Sequence, residues 1–220
     1  ANNLKVDGQN QSPSQPISTK QMYIFNTFSK LQTNKFIHII NKKKLSILDY
    51  GCGVGIWSKQ DIKNKAFKKI TLFDKNKKLI KFLTKKYNNK KVEINFDKKK
   101  ILRKKNYDLV IFSSVIQYMS KNEIKQILLR LKNKSKKTTY FIIDIPKYHR
   151  VLEFILLPFF SIKRFLFSAG LIFNKEYKKI KIYHHQLKDF NFLRKHYEIN
   201  KISNLYDVKF LRYTLVIKEK

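Results

Sequence analysis

The stretch that decides the fold reads Ile47-Leu48-Asp49-Tyr50-Gly51-Cys52-Gly53-Val54-Gly55. An apolar run, Leu45 to Tyr50, stops abruptly at three alternating glycines. A continuous apolar run of this length looks like a strand buried on both faces of a parallel sheet, and the glycines mark the tight turn that ends it. Glycine there lets the backbone approach a ligand closely and adopt dihedrals that other residues avoid, while a helix resuming near Ile56 presents unpaired N–H groups. Outward from this turn the pattern predicts strands at 69–73, 92–95, 109–113 and 140–145 and helices at 77–87, 121–131 and 186–195. Two closing strands follow, at 197–202 and 209–217. Strands alternating with helices imply a doubly wound, mostly parallel seven-stranded α/β sheet with helices on both faces. The last two strands, separated by a short loop, are expected to pair as an antiparallel hairpin at the sheet edge.

The chain has 220 residues, 43% of them apolar, enough for one sizeable core. Residues 1–16 are polar, with Gly8, Pro13 and Pro16 among Ser, Asn and Gln, and read as a flexible arm rather than a signal peptide. Residues 17–220 read as a single domain. Within it, 17–42 carries apolar residues at helical spacing (Met22, Phe25, Phe28, then Phe36, Ile39, Ile40), and 146–185 reads as a lid-like insertion. The aromatic stretch 151–173 is broken by Glu153, Pro158, Lys163 and Arg164, so no transmembrane segment is expected there. A single cysteine, Cys52, cannot form an internal disulfide, and no Cys/His spacing suggests a metal. A reducing, cytoplasmic setting is the expectation.

The formal net charge is +34, which suggests RNA, DNA or an anionic membrane as a partner. Yet only six of the 49 basic residues are arginine, at 103, 130, 150, 164, 194 and 212, and the lysines run along the whole chain beside abundant Asn and Ile. A phosphate-gripping surface would be expected to use arginine's bidentate fork and to concentrate its charge. Compositional drift of solvated surfaces and a polyanionic partner therefore both stand as readings of the charge.

Residues 47–55 resemble motif I of the class I methyltransferases, an acid followed by G-x-G-x-G at the end of the first strand. The competing dinucleotide fingerprint, G-x-G-x-x-G, fails because position 56 is Ile. Asp74 closes the second strand, where that family places an acid on the ribose hydroxyls. Asp97 follows the third, where the family often has an acid near the adenine amino group. Tyr107-Asp108-Leu109-Val110-Ile111-Phe112-Ser113-Ser114 is similar to the family's fourth strand, whose end lies beside the transferable methyl group. The resemblance implies S-adenosylmethionine as cofactor, with S-adenosylhomocysteine as product. It would be held by Asp49, Gly51, Cys52, Gly53, Gly55, Asp74, Lys75, Asp97, Ser113 and Ser114. Each acid is also a common strand-end cap or turn residue.

Methyl transfer from a sulfonium is an in-line displacement that needs alignment more than dedicated catalytic groups, so the acceptor is poorly encoded. After strand four the chain lacks the [DNS]-P-P-[YF] clamp of base-amine methylases. Its only cysteine lies inside the glycine turn, and Ser113 stands where catechol-type enzymes carry a metal-binding acid. Asp144 is therefore expected to be structural or substrate-facing. Candidate bases are Tyr118, His184 and His185, the histidines standing just before the last predicted helix, where they could equally cap or pack. Stretch 151–173 could line an apolar pocket, bury its own face, or rest on a membrane surface as a peripheral contact. The expected activity is methyl transfer to a small-molecule or lipid-like acceptor. RNA methylation and a non-catalytic scaffold that keeps the fold are the alternatives.

Overall fold

In the computed structural model, the described residues are 44–55, 67–87, 89–104, 106–132, 137–147, 183–203 and 212–220, with 155, 156, 158, 159 and 162 between them. The arm at 1–16, the helices expected at 17–42 and the helix expected from Ile56 lie outside the described residues. So does most of 146–185. Of the apolar stretch 151–173 only five positions are described, and Ile155, Phe159 and Ile162 among them are exposed.

The elements follow the expected order: β1 (Leu45–Tyr50), β2 (Phe67–Phe73), α1 (Lys77–Lys86), β3 (Val92–Asn95), α2 (Lys98–Lys104), β4 (Leu109–Ser113), α3 (Lys121–Leu131), β5 (Thr139–Pro146), β6 (Tyr197–Ser203) and β7 (Arg212–Glu219). They build a seven-stranded sheet in the order β3-β2-β1-β4-β5-β7-β6. β1 to β5 pair in parallel, and β7 is antiparallel to both of its neighbours, β5 and β6. β6 and β7 thus form the expected hairpin, with β6 at the edge.

The near-continuous apolar strands are explained by burial on both faces. Leu45 and Ile47 of β1 pack with Ile70, Leu72, Leu109 and Ile111 against Ile80 and Leu83 of α1. Leu48 and Tyr50 face the opposite layer, where Ile101 and Leu102 of α2 and Ile124, Ile127, Leu128 and Leu131 of α3 close the core. Asn76 caps α1 by accepting from the Lys78 and Leu79 amides, and Ser120 with Glu123 forms a capping box at α3. Asp108, buried before β4, accepts from the Ser46 amide (2.9 Å) and ties the amino ends of β1 and β4.

Two elements differ from expectation. The helix predicted at 186–195 is a 3-10 helix at Leu187–Leu193. Phe190 and Leu193 are buried three residues apart, and Leu187 packs on the same cluster, which is the face a helix of three residues per turn presents. α2 was not anticipated. Its sequence, KKKILRK, has only one apolar pair among lysines, too little to show a helical period.

Candidate functional site

The strand order reverses at the β1–β4 boundary, and in open α/β sheets the crevice at the carboxyl ends of such strands is where ligands bind. The glycine turn stands there. Gly51, Gly53 and Gly55 all have positive φ, at 75°, 55° and 68°, a region glycine enters without steric cost. The Gly51 and Cys52 amides both donate to the Phe73 carbonyl (2.8 and 3.0 Å), which anchors the turn to β2. On its far side the Tyr87 hydroxyl donates to the Gly55 carbonyl (2.6 Å) and the Lys86 ammonium to the Val54 carbonyl (3.0 Å). A Cβ on Gly51 would drive into the Val115 side chain. One on Gly55 would stand 2.9 Å from Leu83 and 3.0 Å from Tyr87. Among the described residues, a Cβ on Gly53 would meet nothing within 4 Å beyond its chain neighbours. The middle glycine is therefore open toward the described part of the fold while its neighbours are packed from behind.

Acids surround this opening. Asp49, 2% exposed, is the penultimate residue of β1, with Tyr50 between it and the turn. Asp74 bridges turn and helix, one oxygen accepting from the Gly53 amide (3.0 Å) and the other from the Asn76 amide (2.9 Å). Each carboxylate oxygen has a second lone pair, so these bonds leave acceptor capacity for a hydroxyl. Lys75, next to it, is exposed. Asp97 is on the same edge but its Oδ1 caps α2 by accepting from the Lys99 and Lys100 amides (2.8 and 3.3 Å). It stands on the rim of a basic groove with Lys69, Glu93 and Arg103. Burial, and then the neighbouring Asp49 and Asp74, push the Cys52 thiol up. That side chain stays protonated.

Ser113 is half-buried at the end of β4. Ser114 and Asp144, both non-glycine, have φ of 53° and 68° and touch: the Ser114 hydroxyl donates to Asp144 Oδ2 at 2.7 Å. Arg212 of β7 donates to the same oxygen at 2.8 Å and to the Asp144 carbonyl at 3.3 Å. The β5–β7 register shifts between Ile142 and Ile145, so Asp144 is the turned residue of a bulge, a device that re-aims a side chain. Strained backbone of this kind clusters at functional sites.

Tyr118 is half-buried on the short 3-10 turn Ile116–Tyr118 after β4. His185 is buried, and its Nε2 lies 3.0 Å from both the Ile116 and Met119 carbonyls. Two carbonyl partners require Nε2 to carry the hydrogen, so this nitrogen ties the segment before the 3-10 helix to the turn after β4, and only Nδ1 could accept a proton. Burial lowers the His185 pKa, outweighing the two carbonyls that raise it. The folded ring is thus harder to protonate than an unfolded histidine at about 6.5. Its contribution to stability is complete above that pH and is lost as the pH falls through it toward the folded value. Melting temperatures measured at pH 7.5 and 5.5 should show a drop, and His185→Gln should remove that part of it.

Sequence reasoning missed Asn76, Lys86, Tyr87, Val115 and Arg212. Asn76 carries an N-cap signal, standing two residues after Asp74 and just before Lys77-Lys78-Leu79-Ile80. Arg212 is an arginine in a chain whose cations are nearly all lysine. The contacts of Tyr87 and Val115 with the turn span long sequence separations and leave no local mark.

A family model described as a methyltransferase domain matches residues 41–197. The chain belongs to this family. Its fold is that of the class I S-adenosylmethionine-dependent methyltransferases, and solved methyltransferases share it. The magnesium protoporphyrin IX methyltransferase of Synechocystis PCC 6803, solved with bound SAH, is 15% identical with a TM-score of 0.60, over 94% of this chain and 90% of that one. A SAM-dependent methyltransferase from Aquifex aeolicus is 14% identical with a TM-score of 0.58, over 93% of this methyltransferase and 100% of its counterpart. The methyltransferase domain of bacterial CtHen1 is 14% identical with a TM-score of 0.56, over 89% and 100%. No curated protein matches the chain in sequence. Among the described residues, no cluster of His, Cys, Asp and Glu could hold a metal ion, and no helix is long and apolar enough to cross a membrane.

Proposed function

We propose that this methyltransferase holds S-adenosylmethionine on the glycine turn between Asp49 and Asp74 and methylates a small-molecule or lipid-like acceptor over the end of β4. The observation that carries the reading is the open face of Gly53. Three positive-φ glycines make a cradle, and apart from its chain neighbours no described residue comes within 4 Å of the middle member's missing Cβ. It lies at the topological switch point with a buried acid before it and Asp74 beside it. Bound there, the cofactor supplies a sulfonium methyl group for in-line displacement. Asp49 offers negative charge for a cationic amino group, and Asp74 acceptor capacity for ribose hydroxyls. Asp97 and Lys75 stand on the rim. Ser113 and Ser114 would flank the reacting position, and Tyr118, on the next turn, is the candidate to orient or deprotonate an acceptor. His185 is read as holding that turn in place through its Nε2.

Isothermal titration with S-adenosylmethionine and S-adenosylhomocysteine tests this. Micromolar binding is expected, weakened about tenfold or more in Asp74→Asn, where one acceptor oxygen becomes a donor. Absence of binding by either ligand would overturn the reading.

A further inference from the structure

The large apolar side chains exposed among the described residues fall into two kinds. Phe82 and Phe96, 49% and 53% exposed, each carry a lysine ammonium over the ring, Lys86 at 5.4 Å and Lys77 at 5.6 Å from the centroid. Leu129 stands singly on α3. Ile155, Phe159 and Ile162 differ: they are 56%, 82% and 68% exposed, and all three lie in helical backbone of one short stretch. With 3.6 residues per turn, steps of four and three bring them within an arc of about 60° on one face. Leu156 and Pro158, on either side of that arc, are half-buried. At these positions the stretch turns its bulkiest apolar groups outward instead of burying its own face. Scattered exposed apolar residues need no explanation, whereas a ridge of three neighbours marks a contact surface.

We propose that this ridge docks the methyltransferase on the surface of an anionic lipid bilayer. Arg150, Lys163 and Arg164 bracket the ridge in sequence, and Glu153 is the one acid between 148 and 174. An apolar face with basic neighbours is the composition of a helix that lies in the plane of the interface, its cations at the head groups. No helix among the described residues is long and apolar enough to cross. Charge decides between a bilayer and a second copy of this chain. Two copies meeting on the ridge would each bring a net +34 to the contact, whereas the negative surface potential of an anionic leaflet attracts it. The ridge lies on the segment that leaves β5 at Pro146, on the carboxyl edge where Ile143 of β5 pairs with Ser113 of β4. Docking therefore holds the transfer edge close to the bilayer, where a lipid-like acceptor resides. That last step rests on the lipid-like reading of the acceptor, and the docking itself does not.

Co-sedimentation with vesicles tests the docking, at about 150 mM NaCl so that the diffuse attraction of the chain's charge is screened beyond about 8 Å. Vesicles of phosphatidylglycerol and phosphatidylcholine in equal parts should pellet the protein. Phe159→Ser/Ile162→Ser, which leaves the charge unchanged, should weaken that partitioning about tenfold or more. Phe82→Ser/Leu129→Ser, which removes exposed apolar groups elsewhere, should leave it unchanged. Phe159→Trp keeps the ridge apolar, and its fluorescence should be quenched by dibrominated lipid more strongly than that of the parent. No pelleting of the parent, or equal weakening in the two double variants, would show at most the field of a +34 chain and overturn the proposal. So would a parent that is a dimer in solution and becomes a monomer in Phe159→Ser/Ile162→Ser, which gives the ridge to a second copy. Vesicle binding is read without turnover, so failure of the lipid-like acceptor reading leaves it untouched. S-adenosylhomocysteine binding should persist in both double variants, and its absence from the parent would overturn the cofactor site while leaving the vesicle result to stand by itself.

Discussion

Gly53→Ala is expected to leave the chain folded and to weaken S-adenosylhomocysteine binding about a hundredfold, a loss of about 2.7 kcal/mol. The fold should tolerate the change because the new Cβ meets no described residue within 4 Å beyond its chain neighbours. The φ of 55° makes alanine strained there at about 1–2 kcal/mol, which a domain of this size absorbs with a lowered melting temperature. Binding should not tolerate it, because the methyl group would enter the space proposed for the cofactor. Gly51→Ala is the contrasting variant: its Cβ collides with Val115, so both fold and binding suffer. Circular dichroism melts beside calorimetric titrations of the two variants distinguish them. A Gly53→Ala protein that binds as tightly as the parent would show that the open face of the turn is not where the ligand lies.

Arg212→Ala should destabilise the chain by about 3 kcal/mol, read as a lowered urea midpoint at unchanged slope, because it removes the guanidinium that donates to the buried Asp144 carboxylate. Asp144 and Arg212 side chains are 7% and 16% exposed, so water replaces little of the lost interaction. Arg212→Met combined with Asp144→Asn should recover much of the loss, since removing both charges avoids an uncompensated one. Arg212→Lys should fall between, because a single ammonium cannot reproduce contacts to both the carboxylate and the Asp144 carbonyl. Equal stability of Arg212→Ala and the parent would mean that the strained Ser114–Asp144 contact is held by its backbone alone.

The sheet and the cradle were legible because both leave local marks. Strands buried on two faces are near-continuously apolar, as Leu45–Tyr50 is apart from Ser46 and Asp49 and Leu109–Ser113 is apart from its last residue. A turn that brings backbone close to a ligand must be glycine, and three of the chain's five glycines fall at 51, 53 and 55. The acids at 49 and 74 stand out in the sequence because each lies at the end of a recognisable strand. The 3-10 form of 187–193 could not, since a three-residue spacing of apolar positions fits either helix type until packing selects one. α2 was hidden by its lysines.

By itself, then, the sequence determined the strand order in the chain, the glycine turn and the family, all of which depend on residues adjacent along the backbone. The tertiary structure alone decided that Asp74 reaches the Gly53 amide, that His185 spends its Nε2 on the turn after β4, and that Asp144 is turned by a bulge onto Ser114 and Arg212. These contacts join residues 21 to 69 positions apart. Their geometry is set by strand register and layer packing, which no local pattern of residues specifies.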